Sequence, residues 1–234
     1  MIKLSPRLQI IYDMVPKCET IADVGCDHGY LTIAFLEGGV AENAIAMDVN
    51  KGPLESARTN IGQAGLLDNV QFRLSDGLAK LNDSEADVIC ICGMGGALIK
   101  RILNAGLAVA KSAKTLILEP QSEYRALREF LMQEHFVILD EMLCTEEGKI
   151  YPIIKVSYNP NQQLCYNEVE LEYGPIIIKN RPELFDTLLE KNKNEYCTIL
   201  EKLEEKSGVE ADSPIQKRKK ELSDKLSMIR RLQA

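Results

Sequence analysis

Between residues 20 and 158, short apolar runs alternate with segments whose apolar residues recur every three or four positions. The runs at 20–24, 44–48, 70–74, 87–92, 114–119, 136–143 and 150–157 have the length and composition of strands. Segments between them carry helical spacing, as in Leu31, Ala34 and Phe35, or Leu98, Ile99, Ile102 and Leu103. Regular alternation of this kind predicts βαβ units and a mainly parallel sheet. Only a short TEEGK turn parts the last two runs, so they predict an antiparallel hairpin at its end. Ahead of the first strand, Leu4, Leu8, Ile11, Tyr12 and Val15 share one side of an amphipathic helix.

After YNPNQQ the pattern changes. LEYGP (171–175) ends the hydrophobic continuity, and two charged helical segments follow, near 182–206 and 214–232. Phe185, Leu189, Asn192, Tyr196, Ile199 and Leu203 step by four and three residues in the first; Ile215, Leu222, Leu226 and Ile229 do nearly the same in the second. SGVEADSP between them supplies Gly208 and Pro214 as breakers and Asp212 or Ser213 as N-cap. Two short heptad stretches joined by a turn predict an antiparallel, coiled-coil-like helical hairpin. The chain therefore divides into an α/β domain over 1–160 and a helical domain over 161–234.

Composition narrows the class. The 234 residues are 45% hydrophobic and 27% charged, ordinary for a globular protein. No run approaches the ~18 apolar residues of a membrane span, and the N-terminus lacks a signal peptide's apolar core. Seven cysteines, an odd number, point to a reducing cytoplasm. With two histidines, His28 and His135, and one close cysteine pair, Cys90 and Cys92, no metal site is expected. The net charge of −7 argues against broad nonspecific nucleic-acid binding. A local exception is Lys217, Arg218, Lys219, Lys220, Lys225, Arg230 and Arg231, set against only Glu221 and Asp224. This is either a solvated helix face or a grip for phosphates.

Candidate chemistry gathers at strand ends, where open α/β sheets bind ligands. The first is IADVGCDHGYL (21–31), in which Asp23 precedes a loop of Gly25, Cys26, Asp27, His28 and Gly29. A dinucleotide loop would read GxGxxG, and an aspartate facing a pyrophosphate is repulsive. S-adenosylmethionine carries a sulfonium and an ammonium instead, so an acidic loop suits it. Asp48, with Val49 after it, closes the second strand, where a carboxylate can accept ribose hydroxyls. Asp76-Gly77 follows the third strand and could hold an adenine edge. The fourth ends in Gly93, Met94, Gly95 and Gly96, a bare loop whose N–H groups could meet a planar base. Glu119 ends the fifth.

These motifs resemble those of a known family. SPRL (5–8), DVGCDHGYL, KGP (51–53), SDGL (75–78), GMGG, GKIYPIIKV (148–156) and LEYGP are similar to the bacterial tRNA (adenine22-N1)-methyltransferases, the TrmK family. The strand outline likewise resembles class I, Rossmann-like methyltransferases, with a seven-stranded sheet. Cys26 stands where that family commonly has Ser, Gly29 where it has Ala, and Asp48 where Glu is common. Glu119-Pro120-Gln121 replaces a Gln-Pro-Asn-like stretch, which sets aside an amide-donor role for Glu119.

The resemblance implies S-adenosylmethionine-dependent methylation of N1 of adenine 22 in tRNA, by a monomer or weak dimer. Asp23, Gly25, Cys26, Gly29, Asp48, Val49, Asp76, Gly77 and Gly93 are then expected around the cofactor. Met94, Gly95, Gly96, Glu119, Arg7 and Tyr151 are expected near the base. Asp27 and His28 are the catalytic candidates. Two roles stand for Asp27: stabilising charge on the base, or holding the cofactor's ammonium. His28 stacks on the base, bonds to it or assists proton loss; otherwise it caps the following helix. Competing functions are a methyltransferase for another RNA or a small acceptor, a dehydrogenase, and a catalytically silent RNA-binding module.

Overall fold

The structure, a computed structural model, describes residues 2–204 and 214–233. Two compact units divide at Ile176/Ile177. In the first, a seven-stranded sheet is formed by β1 (Cys18–Val24), β2 (Ala41–Asp48), β3 (Val70–Leu74), β4 (Val88–Met94), β5 (Thr115–Pro120), β6 (Phe136–Glu146) and β7 (Lys149–Tyr158). Their order is β3-β2-β1-β4-β5-β7-β6. The first five pair in parallel, while β7 runs antiparallel between β5 and β6. All seven expected strands are present, most of them a residue or more longer than the apolar runs suggest.

Both faces of the sheet are buried, which is why the strands look continuously apolar. Ala22, Val24, Ile89, Ile91, Leu116 and Leu118 pack into one core. The alternate residues Ile21, Val88, Cys90 and Ile117 pack into the other. The flanking helices are α1 (Pro6–Met14), α2 (Tyr30–Glu37), α3 (Lys51–Gln63), α4 (Gly96–Ala105), α5 (Leu107–Ser112) and α6 (Tyr124–Gln133). Ser5 caps α1, its hydroxyl accepting the Leu8 N–H, and Pro6 fills the first turn, where no donor is missed. The strand order reverses between β1 and β4, and their carboxyl ends open a crevice there.

Beyond β7 lie α7 (Glu168–Tyr173) and α8 (Pro175–Asn180). The first unit runs past 160 because a buried ion pair gathers the segment in. Arg128 Nε donates to Glu141 Oε1 at 2.8 Å, and Arg128 Nη1 donates to the carbonyls of Leu171 and Glu172. Glu141 Oε2 accepts the Ile176 N–H at 3.0 Å. A side chain at Gly174 would run into that carboxylate.

The second unit contains α9 (Leu184–Glu204) and α10 (Pro214–Gln233). Phe185, Leu189, Leu222 and Ile229 are fully buried at heptad positions. Glu190 meets Gln233, and Lys225 lies over the Tyr196 ring, so the helices are antiparallel. Asp212, Ser213 and the turn around Gly208 fall outside the described residues. Among the described residues, no helix is long and apolar enough to cross a membrane.

Candidate active site

A cavity of about 880 Å³ opens at the carboxyl ends of β1, β2 and β4 and after β3. Its walls hold Arg7, Asp23, Gly25, Cys26, Asp27, His28, Asp48, Val49, Asp76, Gly77, Gly93 and Met94. Residues scattered over the first 94 positions thus come together in one place. Gly29, Gly95, Gly96, Glu119 and Tyr151 do not line it.

The loop after β1 is tightly constrained. The Gly25 and Cys26 N–H groups both donate to the Met47 carbonyl, at 2.8 and 3.0 Å. Gly25 has φ of 80°, and a Cβ there would strike the Met94 side chain. Asp27 has φ of 45°, a left-handed conformation that glycine adopts without cost. Aspartate tolerates it better than most residues, yet its presence there stores strain of about 1 kcal/mol. Its side chain is 68% exposed and sits 3.7 Å from His28 Nε2. Gly29 lies behind the wall: it precedes α2 as its N-cap, with φ of 74°, and is pressed against Ala57 and Ile61.

The cavity floor is acidic. Asp23 is buried, and its Oδ2 accepts the Thr32 hydroxyl at 2.7 Å. Burial pushes its carboxyl up to about 6; the Thr32 hydrogen bonds oppose that rise and the charge of Asp48 adds to it. Asp48 Oδ1 accepts the Asn50 N–H at 2.7 Å. Ser75 shapes the third strand's exit, donating from Oγ to the Gly77 carbonyl and accepting the Lys80 N–H. Burial keeps the Cys26 thiol protonated, so it adds bulk without charge. Asp23, Asp48 and Asp76, at the ends of β1, β2 and β3, repel a pyrophosphate and attract a cation. That charge suits a cofactor bearing a sulfonium and an ammonium group, as S-adenosylmethionine does.

The GMGG segment behaves differently from expectation. The Gly93 N–H is already committed to Glu119 Oε2, at 2.6 Å. Gly95 and Gly96 serve packing: the Gly96 N–H donates to the Ser122 carbonyl at 3.0 Å, and a side chain there would collide with it. The Ala97 N–H is taken by Glu123. Of this loop Met94 and Gly93 face the cavity, and the Gly93, Gly96 and Ala97 N–H groups are not free for a base.

Glu119 stands behind the wall, fully buried. Its Oε2 also accepts Arg7 Nη1 at 3.0 Å, while Oε1 has no hydrogen-bond partner among the described residues. Burial raises its carboxyl, against the pull of Arg7 and the Gly93 N–H. Arg7 Nε donates to Glu146 at 2.6 Å, so two carboxylates pin the guanidinium at the cavity edge. Tyr151 is buried in the core by strand alternation and reaches no part of the cavity.

Sequence patterns did not point to Lys3, Tyr30, Asn50, Leu98, Arg101, Gln121 and Glu146, all of which line the cavity. Tyr30 was recoverable as the residue directly after the loop, and Arg101 as the helical neighbour of Leu98. Glu146 reaches the site from the end of β6, held by Arg7 139 residues away, a pairing that no local pattern encodes.

A family model described as tRNA (adenine(22)-N(1))-methyltransferase matches residues 21–231. The chain is 31% identical over 233 residues to the tRNA (adenine(22)-N(1))-methyltransferase of Bacillus subtilis (strain 168), covering 98% of this chain and 96% of that one. The solved structure of the B. subtilis M1A22 tRNA methyltransferase TrmK superposes with a TM-score of 0.87 at 29% identity, covering 99% of each chain. That of M. capricolum TrmK with S-adenosyl-homocysteine gives 0.83 at 25% identity, covering 97% of this chain and 96% of that one.

Proposed function

The chain belongs to the tRNA (adenine(22)-N(1))-methyltransferase family, and from that premise we propose that it methylates N1 of adenine 22 in tRNA, using S-adenosylmethionine. The observation that carries the assignment beyond the match is the acidic cavity at the β1/β4 switch point, hostile to phosphate and suited to a cationic cofactor.

S-adenosylmethionine supplies, when bound, a methyl group activated by the sulfonium. Asp48 holds the ribose, Asp76-Gly77 the adenine edge and Asp23 the charged amino-acid end. Arg7, braced by Glu119 and Glu146, keeps α1 against the cavity edge. The target N1 donates its own lone pair to the methyl carbon as the carbon–sulfur bond breaks. No base is needed to free that pair. The ring acquires a positive charge in the process, and Asp27 stands exposed at the rim to stabilise it. On this reading Asp27 serves the base and the cofactor is left to the floor. N1 is used in duplex pairing, so the base must be unpaired or turned out to enter.

The basic face of α10, with Lys217, Arg218 and Lys220 exposed, supports a phosphate-gripping role for the second unit. Seven free cysteines suit a reducing cytoplasm. Incubation with unmodified tRNA transcripts and labelled cofactor, followed by nucleoside mass spectrometry, tests the assignment. 1-Methyladenosine is the expected product. A different methylated nucleoside, or none, overturns it.

A further inference from the structure

At the cavity rim, the rings of His28 and Tyr30 stack with centroids 5.6 Å apart and planes 26° from parallel. Tyr30 is 43% exposed and the His28 side chain 50%, and both line the cavity. A tyrosine placed so openly forgoes the burial that normally recommends an aromatic. Its hydroxyl makes no hydrogen bond among the described residues that would explain the position.

The backbone beneath the two rings is nonetheless rigid. Asp27 and Gly29 hold left-handed conformations on either side of His28. The His28 carbonyl accepts Asn60 Nδ2 at 3.0 Å, and Gly29 is wedged against α3. Tyr30 is the first residue of α2, whose next five residues are all buried. Helix packing therefore fixes the Cα of Tyr30 while its side chain remains outside.

We propose that Tyr30, backed by His28, is a preformed shelf for the face of the target purine. This rests on the tRNA reading above and adds a specificity-determining residue to it. The floor carboxylates recognise the cofactor, which leaves the rim rings to recognise a planar, unpaired base by stacking. His28 then works through its ring face, and Tyr30 through its ring and not its hydroxyl.

The test uses the full-length protein with S-adenosyl-homocysteine and a tRNA transcript carrying 2-aminopurine at position 22, a base whose fluorescence is quenched by stacking. Wild type and Tyr30→Phe should quench it; Tyr30→Ala should not. With unmodified tRNA, Tyr30→Ala should lower kcat/KM about 10- to 100-fold, the range for one base stacked on one aromatic. Tyr30→Phe should stay within about twofold of wild type, and cofactor affinity should be unchanged in both. An exposed side chain leaves the melting temperature alone, which separates this effect from misfolding. Equal quenching by Tyr30→Ala, or equal damage from Tyr30→Phe, overturns the shelf. If wild type methylates adenine 22 and Tyr30→Ala does so as fast, the shelf fails while the function stands. If wild type methylates no tRNA, both fail.

Discussion

Replacing Asp23 by Asn should make the protein more stable near neutral pH while weakening its hold on the cofactor. Asp23 is buried, and folding raises its carboxyl from 3.8 to about 6, chiefly through desolvation. That rise of about 2.2 pH units, at 1.36 kcal/mol each, puts the cost of ionising the buried group at about 3 kcal/mol. Asparagine keeps the shape, and its Oδ1 can still accept the Thr32 hydroxyl. The gain should therefore fall between about 1 and 3 kcal/mol at neutral pH, the upper figure assuming no relaxation around the charge.

The sign follows from proton counting. Between about pH 4 and 6 the folded protein holds a proton that the unfolded chain has released. The stability contributed by Asp23 is thus fully present below about pH 4 and is lost as pH rises through about 6. Urea unfolding of the ligand-free proteins should show the two nearly equal at about pH 4, with Asp23→Asn ahead above about pH 7. Glu119, also raised, is common to both proteins and cancels in the difference. A bound cation favours the ionised form, so wild-type cofactor affinity should climb with pH through about 6 and that of Asp23→Asn should stay flat and weaker. Asp23→Asn being less stable than wild type by the same amount at both pH values would refute the argument.

Asp48→Ala should weaken cofactor binding about tenfold or more by calorimetry, while Asp27→Ala should mainly lower kcat with tRNA; equal loss of cofactor affinity in both would end that division of roles. Arg128→Met should cost about 3 to 5 kcal/mol of unfolding free energy, because Glu141 is left charged and buried; Arg128→Met with Glu141→Leu should recover most of it. Lys217→Glu with Lys220→Glu should raise KM for tRNA and flatten its salt dependence, leaving cofactor affinity unchanged. An unaltered KM would mean that this helix face is merely solvated.

The sheet was legible because its central strands are buried on both faces and bounded by turn residues, so their apolar runs stand out. The heptads of α9 and α10 were legible because Phe185, Leu189, Leu222 and Ile229 are buried on the expected spacing; Met228 is buried off it. Strand ends also located Asp23, Asp48 and Asp76, since in a parallel sheet every carboxyl end faces one edge. What failed was whatever depends on partners distant in sequence. Nothing local in GMGG distinguishes a glycine facing a ligand from one crowded by Ser122, 26 residues after Gly96. Glu119 ends a strand as Asp48 does, yet Arg7 and Gly93 hold it behind the wall. Tyr151 sits at an inward position, and only the β6–β7 register reveals that. The segment at 161–176 joins the first unit through an ion pair whose arginine is 43 and 44 residues from the carbonyls it meets.

The most direct test of the central claim compares two transcripts of one tRNA, identical except for adenine or guanine at position 22. Methylation at N1 blocks Watson–Crick pairing, so reverse transcription of the reacted tRNA reports the site as a stop. The account predicts a stop at position 22, dependent on cofactor, on the adenine transcript alone. Equal methyl incorporation into both transcripts, or a stop elsewhere, would contradict it.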